Sequence, residues 1–192
     1  MPIRAEKEAR LKQRARAIWL YGLPGAGKTT LATALEARLA AAGFTTVLLD
    51  GDQIRSGLSR GLGFSKEDRA ENLRRSAEVA KLFVEAGIIP VCAFITPLRA
   101  YRDEARKIIG PDDFISVYLS ASYDQCARRD PKGLYRQAEN RQLPQFSGRD
   151  SVFEPPAQGE ASLVLDTAAV PVDACLAQLE ALVLPRVRLL PP

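Results

Sequence analysis

Residues 17–30 read AIWLYGLPGAGKTT, and this stretch decides the fold class. Its first five residues are apolar, as in a buried strand, and the next eight, Gly22 to Thr29, satisfy the pattern G-x-x-x-x-G-K-[ST]. Glycines at these positions let the backbone turn so that successive N–H groups point at phosphate oxygens. The lysine supplies a positive charge to the phosphates and the threonine a hydroxyl for Mg²⁺. The stretch therefore predicts a phosphate-binding loop (P-loop) between a strand and a helix.

Outward from this loop, strand-like runs alternate with helical stretches along the chain. The patterns predict strands over residues 17–21, 45–49, 88–95, 114–119 and 163–165, and helices over residues 30–42, 65–86, 98–109, 121–129 and 172–184. Apolar strands that alternate with helices indicate an α/β fold, a parallel sheet with helices on both faces. Ligands of such sheets bind beyond the carboxyl ends of the strands, so we expect the loops after Tyr21, Leu49, Ile95 and Leu119 to share one cleft.

Composition divides the chain into a basic N-terminal arm (residues 1–16), one domain (17–184) and a Pro-rich tail (185–192). Within the domain, residues 130–160 are rich in Pro, Gly and charge and poor in aliphatic residues, which predicts a mobile lid. The cations of this region, Arg128, Arg129 and Lys132, suit a lid that closes over phosphates. An uninvolved surface loop is the alternative.

The charge balance argues against a nucleic-acid partner. The 192 residues hold 27 Lys+Arg and 23 Asp+Glu, and six of the basic residues lie in the arm against two acidic ones, so the remainder is neutral. We expect the arm to be solvated and partly helical. No window of about 18 apolar residues and no signal-peptide pattern is present, so we expect a cytoplasmic protein without a membrane partner.

The sequence contains no histidine, which excludes Ser-His-Asp and Cys-His catalysis and histidine metal sites. Proton transfer must then fall to carboxylates, lysine or tyrosine. Asp52, in the turn Asp50-Gly51-Asp52 that closes the second predicted strand, is the best candidate for a general base. The scattered Cys92, Cys126 and Cys175 are expected to be core residues in a reducing compartment.

Several further segments resemble one family. These are GLPGAGKTTLATALEARL (22–39), LDGDQIRSGLSRGLGFSKEDRAENLRRSAEVAKLF (49–83), AFITP (93–97), RDPKGLY (129–135) and FSG (146–148). Together they resemble adenylyl-sulfate kinase from about Ala17 to Leu182. The block from Leu49 to Phe83 is the most specific, because few kinases combine D-G-D, L-G-F-S, D-R-x-E-N and R-R in that order.

The resemblance implies a set of site residues. ATP would bind Gly22, Gly25, Ala26, Gly27, Lys28, Thr29, Thr30 and Arg129, with Mg²⁺ on Thr29. Adenylyl sulfate would bind Asp52, Arg55, Phe64, Arg69, Asn72, Ile95, Lys132 and Phe146. The aromatic pair Phe64 and Phe146 would sandwich the adenine, and Arg55, Arg69 and Arg75 would converge on the phosphosulfate. The catalytic residues would be Asp52, Lys28 and Thr96.

The sequence also departs from the family pattern. The family usually has Ser at Pro24, Asn at Gln53, His or Gln at Ser56, Ser at Thr96 and Tyr at Leu98. Thr96 matters most, since the family's serine there is often assigned as a phosphorylated active-site residue. The family's F-T-G-I-D-x-x-Y-E-x-P appears in drifted form as FSGRDSVFEP at residues 146–155.

The resulting expectation is a kinase that uses ATP and Mg²⁺ to phosphorylate the 3′-hydroxyl of adenylyl sulfate by direct in-line transfer. A kinase for another small hydroxyl acceptor and a nucleotide-binding module without turnover are the alternatives. The resemblance also implies a homodimer and functional coupling to an ATP sulfurylase.

Overall fold

The computed structural model describes residues 3–140, 142 and 146–189, and in this part of the chain five strands form one parallel sheet. The strands are β1 (Ala17–Tyr21), β2 (Thr46–Asp50), β3 (Ile89–Phe94), β4 (Phe114–Ser120) and β5 (Leu163–Asp166). Their order across the sheet is β2-β3-β1-β4-β5, and every pair is parallel. The predicted parallel α/β sheet is therefore confirmed, with the P-loop after its central strand.

The described residues form eight α-helices and a one-turn 3₁₀ helix at Pro111–Asp113. The helices are α1 (Arg4–Leu11), α2 (Lys28–Ala41), α3 (Gly51–Ser56), α4 (Lys66–Glu85), α5 (Arg99–Ile109), α6 (Tyr123–Arg129), α7 (Leu134–Glu139) and α8 (Val172–Val187). Ser65 caps α4 by accepting a hydrogen bond from Asp68 N, as its position before the helix predicts. The sequence patterns predicted neither α3 nor α7, both of which have only six residues.

Alternate residues of β1 face two hydrophobic cores, one on each side of the sheet. Ile18 and Leu20 pack with the buried leucines of α2 and α8, whereas Trp19 and Tyr21 pack with α4 and α5. Because side chains alternate between the two faces of the sheet, helices cover both faces. The carboxyl edge of the sheet is left to the loops. No helix in the described ranges is long and apolar enough to cross a membrane.

The N-terminal arm is partly helical, as predicted, and its outer face is exposed, but its other face packs against the domain. Arg4 and Arg16 both form ion pairs with Asp113, the last residue of the 3₁₀ helix just before β4. The buried side-chain amide of Gln13 donates to the carbonyls of Thr45 (3.0 Å) and Gly87 (2.7 Å). These contacts join the N-terminal segment to the amino-terminal side of the sheet, so Arg4 and Arg16 serve as internal partners, whereas Arg10, Lys12 and Arg14 are exposed.

The end of the last helix and the packing of the predicted lid also differ from the sequence predictions. Helix α8 continues to Val187, past the expected end at residue 184, because its buried apolar face continues to Val187. The 130–160 segment contains α7, and its residues Tyr135, Phe146 and Ser147 are buried. It is thus packed over the carboxyl edge in this conformation, and its closure on ligands stays a prediction.

Candidate active site

A cavity of about 990 Å³ lies at the carboxyl edge of the sheet. Its lining includes every site residue that the sequence predicts except Gly22, the first residue of the P-loop, and Arg75. The loops after β1, β2 and β3 all contribute, together with α4 and the 130–160 segment. The expectation of one shared cleft at this edge is confirmed for those loops and is wrong for the loop after Leu119, because residues 119–122 do not line the cavity.

The P-loop backbone depends on glycine at two positions. A Cβ added to Gly22 would come within 2.7 Å of the carbonyl oxygen of Leu119 on the neighbouring strand, so a side chain there would push the strands apart. Gly27 has a φ of 95° and immediately precedes α2, which directs the first N–H groups of the helix into the cavity. This geometry is an anion site.

Lys28 lies folded over the P-loop. Its ammonium group donates to the carbonyl oxygens of Gly22 (3.0 Å) and Leu23 (2.7 Å). Burial lowers its pKa to about 8, against a weaker opposing effect from nearby Cys126 and Asp50. A phosphate group in the cavity would offer this cation a stronger partner than two neutral carbonyls.

The carboxylate of Asp50, for which the sequence analysis predicted no separate role, lies next to Thr29. Asp50, the last residue of β2, accepts a hydrogen bond from the Thr29 hydroxyl at 2.7 Å and caps α3 by accepting from Asp52 N. Mg²⁺ in kinase sites takes one or two protein oxygens and completes its shell with phosphate and water. The exposed Thr29–Asp50 pair fits that requirement, and no larger cluster of metal-ligating side chains occurs among the described residues.

Asp52 begins the first turn of α3 and forms an ion pair with Lys132 of the lid segment. The carboxylate raises the pKa of Lys132 above its usual value. The pair lies over the cavity between the P-loop and α4, and both side chains are largely exposed. The structure therefore brings together the predicted base and the predicted lid cation.

The far end of the cavity is basic and aromatic. The guanidinium groups of Arg55 and Arg69 lie 4.5 and 5.6 Å from the ring centroid of Phe64, and burial lowers the pKa of both. Arg69 also donates to the hydroxyl of Ser147 at 2.9 Å. Phe64 itself is 53% exposed. Two cations and an open aromatic face suit a ligand that carries both an anion and a planar ring.

Asn72 supplies a buried polar group at the same end. It is 5% exposed, lines the cavity, and its Oδ1 has no hydrogen-bond partner among the described residues. Buried oxygens are almost always paired in folded proteins. A hydrogen-bond donor on a bound ligand would satisfy this one.

Phe146 and Thr96 are more enclosed than their predicted roles require. Phe146 is 7% exposed and packs edge-on against Tyr135, with 4.8 Å between ring centroids. Thr96 is fully buried, and its hydroxyl accepts a hydrogen bond from the indole N–H of Trp19 at 2.9 Å. Both residues line the cavity. These contacts do not test the adenine sandwich or a catalytic role for Thr96, so both stay predictions.

The expected convergence of three arginines is wrong for Arg75. This side chain lies on the other side of α4, where it pairs with Glu71 at 2.7 Å and donates to the Leu58 carbonyl. It does not line the cavity. Glu71 also binds Arg74 and forms a salt-bridged surface with the two arginines. Only Arg55 and Arg69 of the predicted three reach the site.

Sequence reasoning missed the loop after β5. Thr167 in that loop donates its hydroxyl to the Ala26 carbonyl of the P-loop at 2.9 Å, and Arg129 reaches both Thr167 and the Gly25 carbonyl. Tyr135 similarly donates to the Pro24 carbonyl at 2.8 Å. The carboxyl-edge rule would have found Thr167 had it been applied to the fifth strand.

A central strand that leads into a glycine-rich anion site, with a basic acceptor pocket opposite, defines a P-loop kinase. The family model described as adenylylsulphate kinase matches residues 14–166. The chain belongs to the adenylyl-sulfate kinase family.

Individual relatives agree with this membership. An adenylyl-sulfate kinase of Bacteroides fragilis is 45% identical over 187 residues, 97% of this chain and 92% of the relative. One from Clostridium acetobutylicum is 47% identical over 160 residues, 83% of this chain and 80% of the relative. The APS kinase CysC of Mycobacterium tuberculosis, solved in complex with AMPPNP and APS, has a TM-score of 0.83 and 37% identity, and the match covers 88% of this chain and 98% of that one.

Proposed function

We propose that this chain transfers the γ-phosphoryl group of ATP to the 3′-hydroxyl of adenylyl sulfate, giving 3′-phosphoadenylyl sulfate and ADP. The observation that carries the proposal is the layout of one cavity. The P-loop lies at one end, Arg55, Phe64, Arg69 and Asn72 lie at the other, and Asp52 is between them. A donor nucleotide and an anionic acceptor nucleotide can therefore meet at a carboxylate.

On the donor side, the backbone N–H groups of Gly25 to Thr30 bind the phosphates, and Lys28 and Arg129 add positive charge. Thr29 and Asp50 would hold Mg²⁺, which neutralises charge on the β- and γ-phosphates when bound. Lys28 leaves the Gly22 and Leu23 carbonyls and turns to the transferring group. Its charge then stabilises the transition state more than the ground state.

On the acceptor side, Asp52 accepts the proton of the 3′-hydroxyl and orients its oxygen toward the γ-phosphorus. Phosphoryl transfer requires little covalent chemistry from the protein, so positioning and charge dominate. The ion pair with Lys132 holds the carboxylate over the cavity. When the acceptor binds, Lys132 moves to an anionic group of the nucleotide.

Recognition of the acceptor divides between charge and stacking. Arg55 and Arg69 bind the phosphosulfate, and the rings of Phe64 and Phe146 bind the two faces of the adenine. Asn72 Oδ1 accepts a hydrogen bond from the acceptor, and Ile95 packs against it. Arg55 and Arg69 both line the cavity, and an anionic acceptor binds these cations more strongly than a neutral one, which disfavours the alternative of a kinase for a neutral metabolite.

Transfer is direct rather than through a phosphorylated Thr96. The Thr96 hydroxyl is buried and bonded to Trp19, so attack on ATP would require that bond to break and the turn to reorganise. Asp52 is exposed in the cavity, and only its ion pair with the exposed Lys132 must open.

The proposal is tested by measuring ADP release from MgATP with adenylyl sulfate, adenosine or glucose as the acceptor. We expect turnover with adenylyl sulfate at least 100-fold above that with either neutral acceptor. The same assay applied to Lys28→Ala tests the P-loop lysine. Its matched control is Lys107→Ala, which removes an exposed cation on α5 that does not line the cavity. Equal rates with all acceptors, or none above the acceptor-free rate, would contradict the proposal.

We also propose that the chain acts in the cytoplasm as a homodimer and is coupled to an ATP sulfurylase. A related APS kinase from Thiobacillus denitrificans is described as hexameric, with 28% identity and a TM-score of 0.65, and the match covers 91% of this chain and 29% of that one. The bifunctional enzyme NodQ of Rhizobium tropici is 48% identical over 160 residues, which make up 25% of its length. Both support association of this domain with further units. Light scattering of the purified chain measures its oligomeric state.

A further inference from the structure

Arg102 is a buried cation outside the cavity. It lies on the inner face of α5 and is only 4% exposed. Its Nε donates to Glu160 Oε1 at 2.6 Å, and its Nη1 donates to the carbonyl oxygens of Glu154 (3.0 Å) and Thr96 (3.5 Å). A buried charge is retained only where its partners are well placed. These partners come from two segments: the turn after β3, which lines the cavity, and residues 154–160, which pack against that turn.

The first segment is the turn after β3, which includes the cavity-lining residues Ile95 and Thr96. Thr96 has a φ of 42°, a left-handed conformation that a β-branched residue rarely adopts. Such a conformation persists only when the surrounding structure holds it. Here Trp19 binds the side chain of Thr96, and Arg102 binds its carbonyl.

The second segment, residues 154–160, is the C-terminal base of the predicted lid. Glu154 N donates to the Pro97 carbonyl at 2.8 Å, and the Glu154 carboxylate accepts from Arg99 N at 2.7 Å. Glu160 accepts from Ala157 N at 2.9 Å through its second oxygen. The lid base is therefore joined to the turn after β3 by several hydrogen bonds, and Arg102 is the one side chain among those described here that bonds to both segments.

We infer that Arg102, held by Glu160, is a positioning residue for the acceptor site: it fixes the Ile95–Thr96 turn and the base of the lid in one arrangement. The inference rests on the proposed function for the identity of the acceptor. Arg102 does not line the cavity, so it acts through these two segments rather than on a nucleotide.

This role predicts an asymmetric kinetic effect. Loss of Arg102 frees the turn, which lines the cavity, and the lid base that is bonded to it, while Lys28, Thr29 and Asp50 keep their contacts. We expect Arg102→Met to raise the KM for adenylyl sulfate about tenfold or more and the KM for ATP no more than about threefold. A purely structural contribution would lower the melting temperature and the amount of active enzyme without changing the ratio of the two KM values.

The experiment compares Arg102→Met, Arg102→Lys and Glu160→Gln in the full chain. Arg106→Met is the control, because Arg106 donates to the Glu160 carbonyl (3.0 Å) from the same helix but bonds to neither Thr96 nor Glu154. Arg102→Lys keeps the charge and is expected to recover part of the loss. Should Arg102→Met fail to fold, the isosteric Glu160→Gln supplies the same comparison.

A second measurement requires no substrate. Trypsin cleavage after Lys132 and Arg136 in the free protein reports how firmly the lid is held, and we expect it to be several-fold faster in Arg102→Met than in Arg106→Met. Equal cleavage rates, or an unchanged ratio of KM values in both Arg102→Lys and Glu160→Gln, would overturn the inference. A wild-type chain that fails to phosphorylate adenylyl sulfate would overturn the proposed function instead, and the cleavage rates would still decide the role of Arg102.

Discussion

At the residue scale, two aspartates two positions apart bind different partners. Asp50 ends β2 and accepts from the Thr29 hydroxyl, whereas Asp52 starts α3 and pairs with Lys132. The turn between them directs one carboxylate to the P-loop and the other to the acceptor end. This separation means that substitutions of the two residues should affect different steps.

Removal of the P-loop lysine tests the donor side. Lys28→Ala should lower kcat by about 10³-fold, because a cation that faces developing negative charge contributes several kcal/mol to the transition state. Steady-state kinetics with saturating ATP and adenylyl sulfate measure the change. Near-wild-type activity in a folded Lys28→Ala protein would exclude the P-loop from catalysis.

The aspartate pair is tested by isosteric substitutions. Asp52→Asn should lower kcat by about 10²–10⁴-fold and leave the affinity for ATP nearly unchanged, since it removes only the base. Asp50→Asn should instead raise the Mg²⁺ concentration needed for half-maximal rate. If Asp52→Asn abolishes MgATP binding, then Asp52 belongs to the metal site and is not the base.

The pKa of Lys28 gives a pH dependence with a definite sign. Burial places this pKa near 8 in the free protein, and bound phosphates would raise it. Above pH 8 the free enzyme has lost the proton, so MgATP binding must take one up, and its Kd should rise by up to about tenfold per pH unit. Calorimetry in buffers of different ionisation enthalpy measures the uptake. Lys28→Arg, which stays charged, should remove both the uptake and the pH dependence.

At the element scale, the two rings of the proposed adenine site come from different elements. Phe146 belongs to the lid segment, and Phe64 lies just before α4. Phe64→Ala, at an exposed ring just before α4, should weaken adenylyl sulfate binding by about tenfold to a hundredfold through loss of stacking and leave ATP binding nearly unchanged. Phe146→Leu keeps most of the packing on Tyr135 but loses the flat face, so it should act in the same direction. Titration calorimetry measures both affinities.

The same elements predict a protection pattern. Closure requires a filled acceptor site, so the 130–160 segment should resist protease most when both nucleotides are bound. If neither aromatic variant changes affinity, and ligands do not alter cleavage, then this segment is a surface loop and adenine does not bind there.

The sequence predicted long elements better than short ones. Five apolar runs and the Ser65 cap were sufficient for the sheet and α4, because burial and capping are local signals. Helices α3 and α7 escaped notice because six residues are too few for a periodic pattern. The packed N-terminal segment was missed because Arg4 and Arg16 find their partner at Asp113, about a hundred positions away.

At the scale of the whole molecule, the site comes from the order of the strands. The sheet order brings the ends of β1, β2 and β3 together, and this was predictable from the parallel α/β pattern and the carboxyl-edge rule. Which side chains then pair was not predictable. The Asp52–Lys132 and Arg102–Glu160 pairs join residues 80 and 58 positions apart, and Arg75 turned away from the cavity to Glu71.

The identity of the reaction product tests the central claim most directly. The purified chain is incubated with MgATP and adenylyl sulfate, and the product is analysed by mass spectrometry and ³¹P NMR. The account predicts one 3′-phosphoadenylyl sulfate for each ADP released, with the new phosphate on the 3′-oxygen of the ribose. ADP release without that product, or a phosphate at another position, would contradict it.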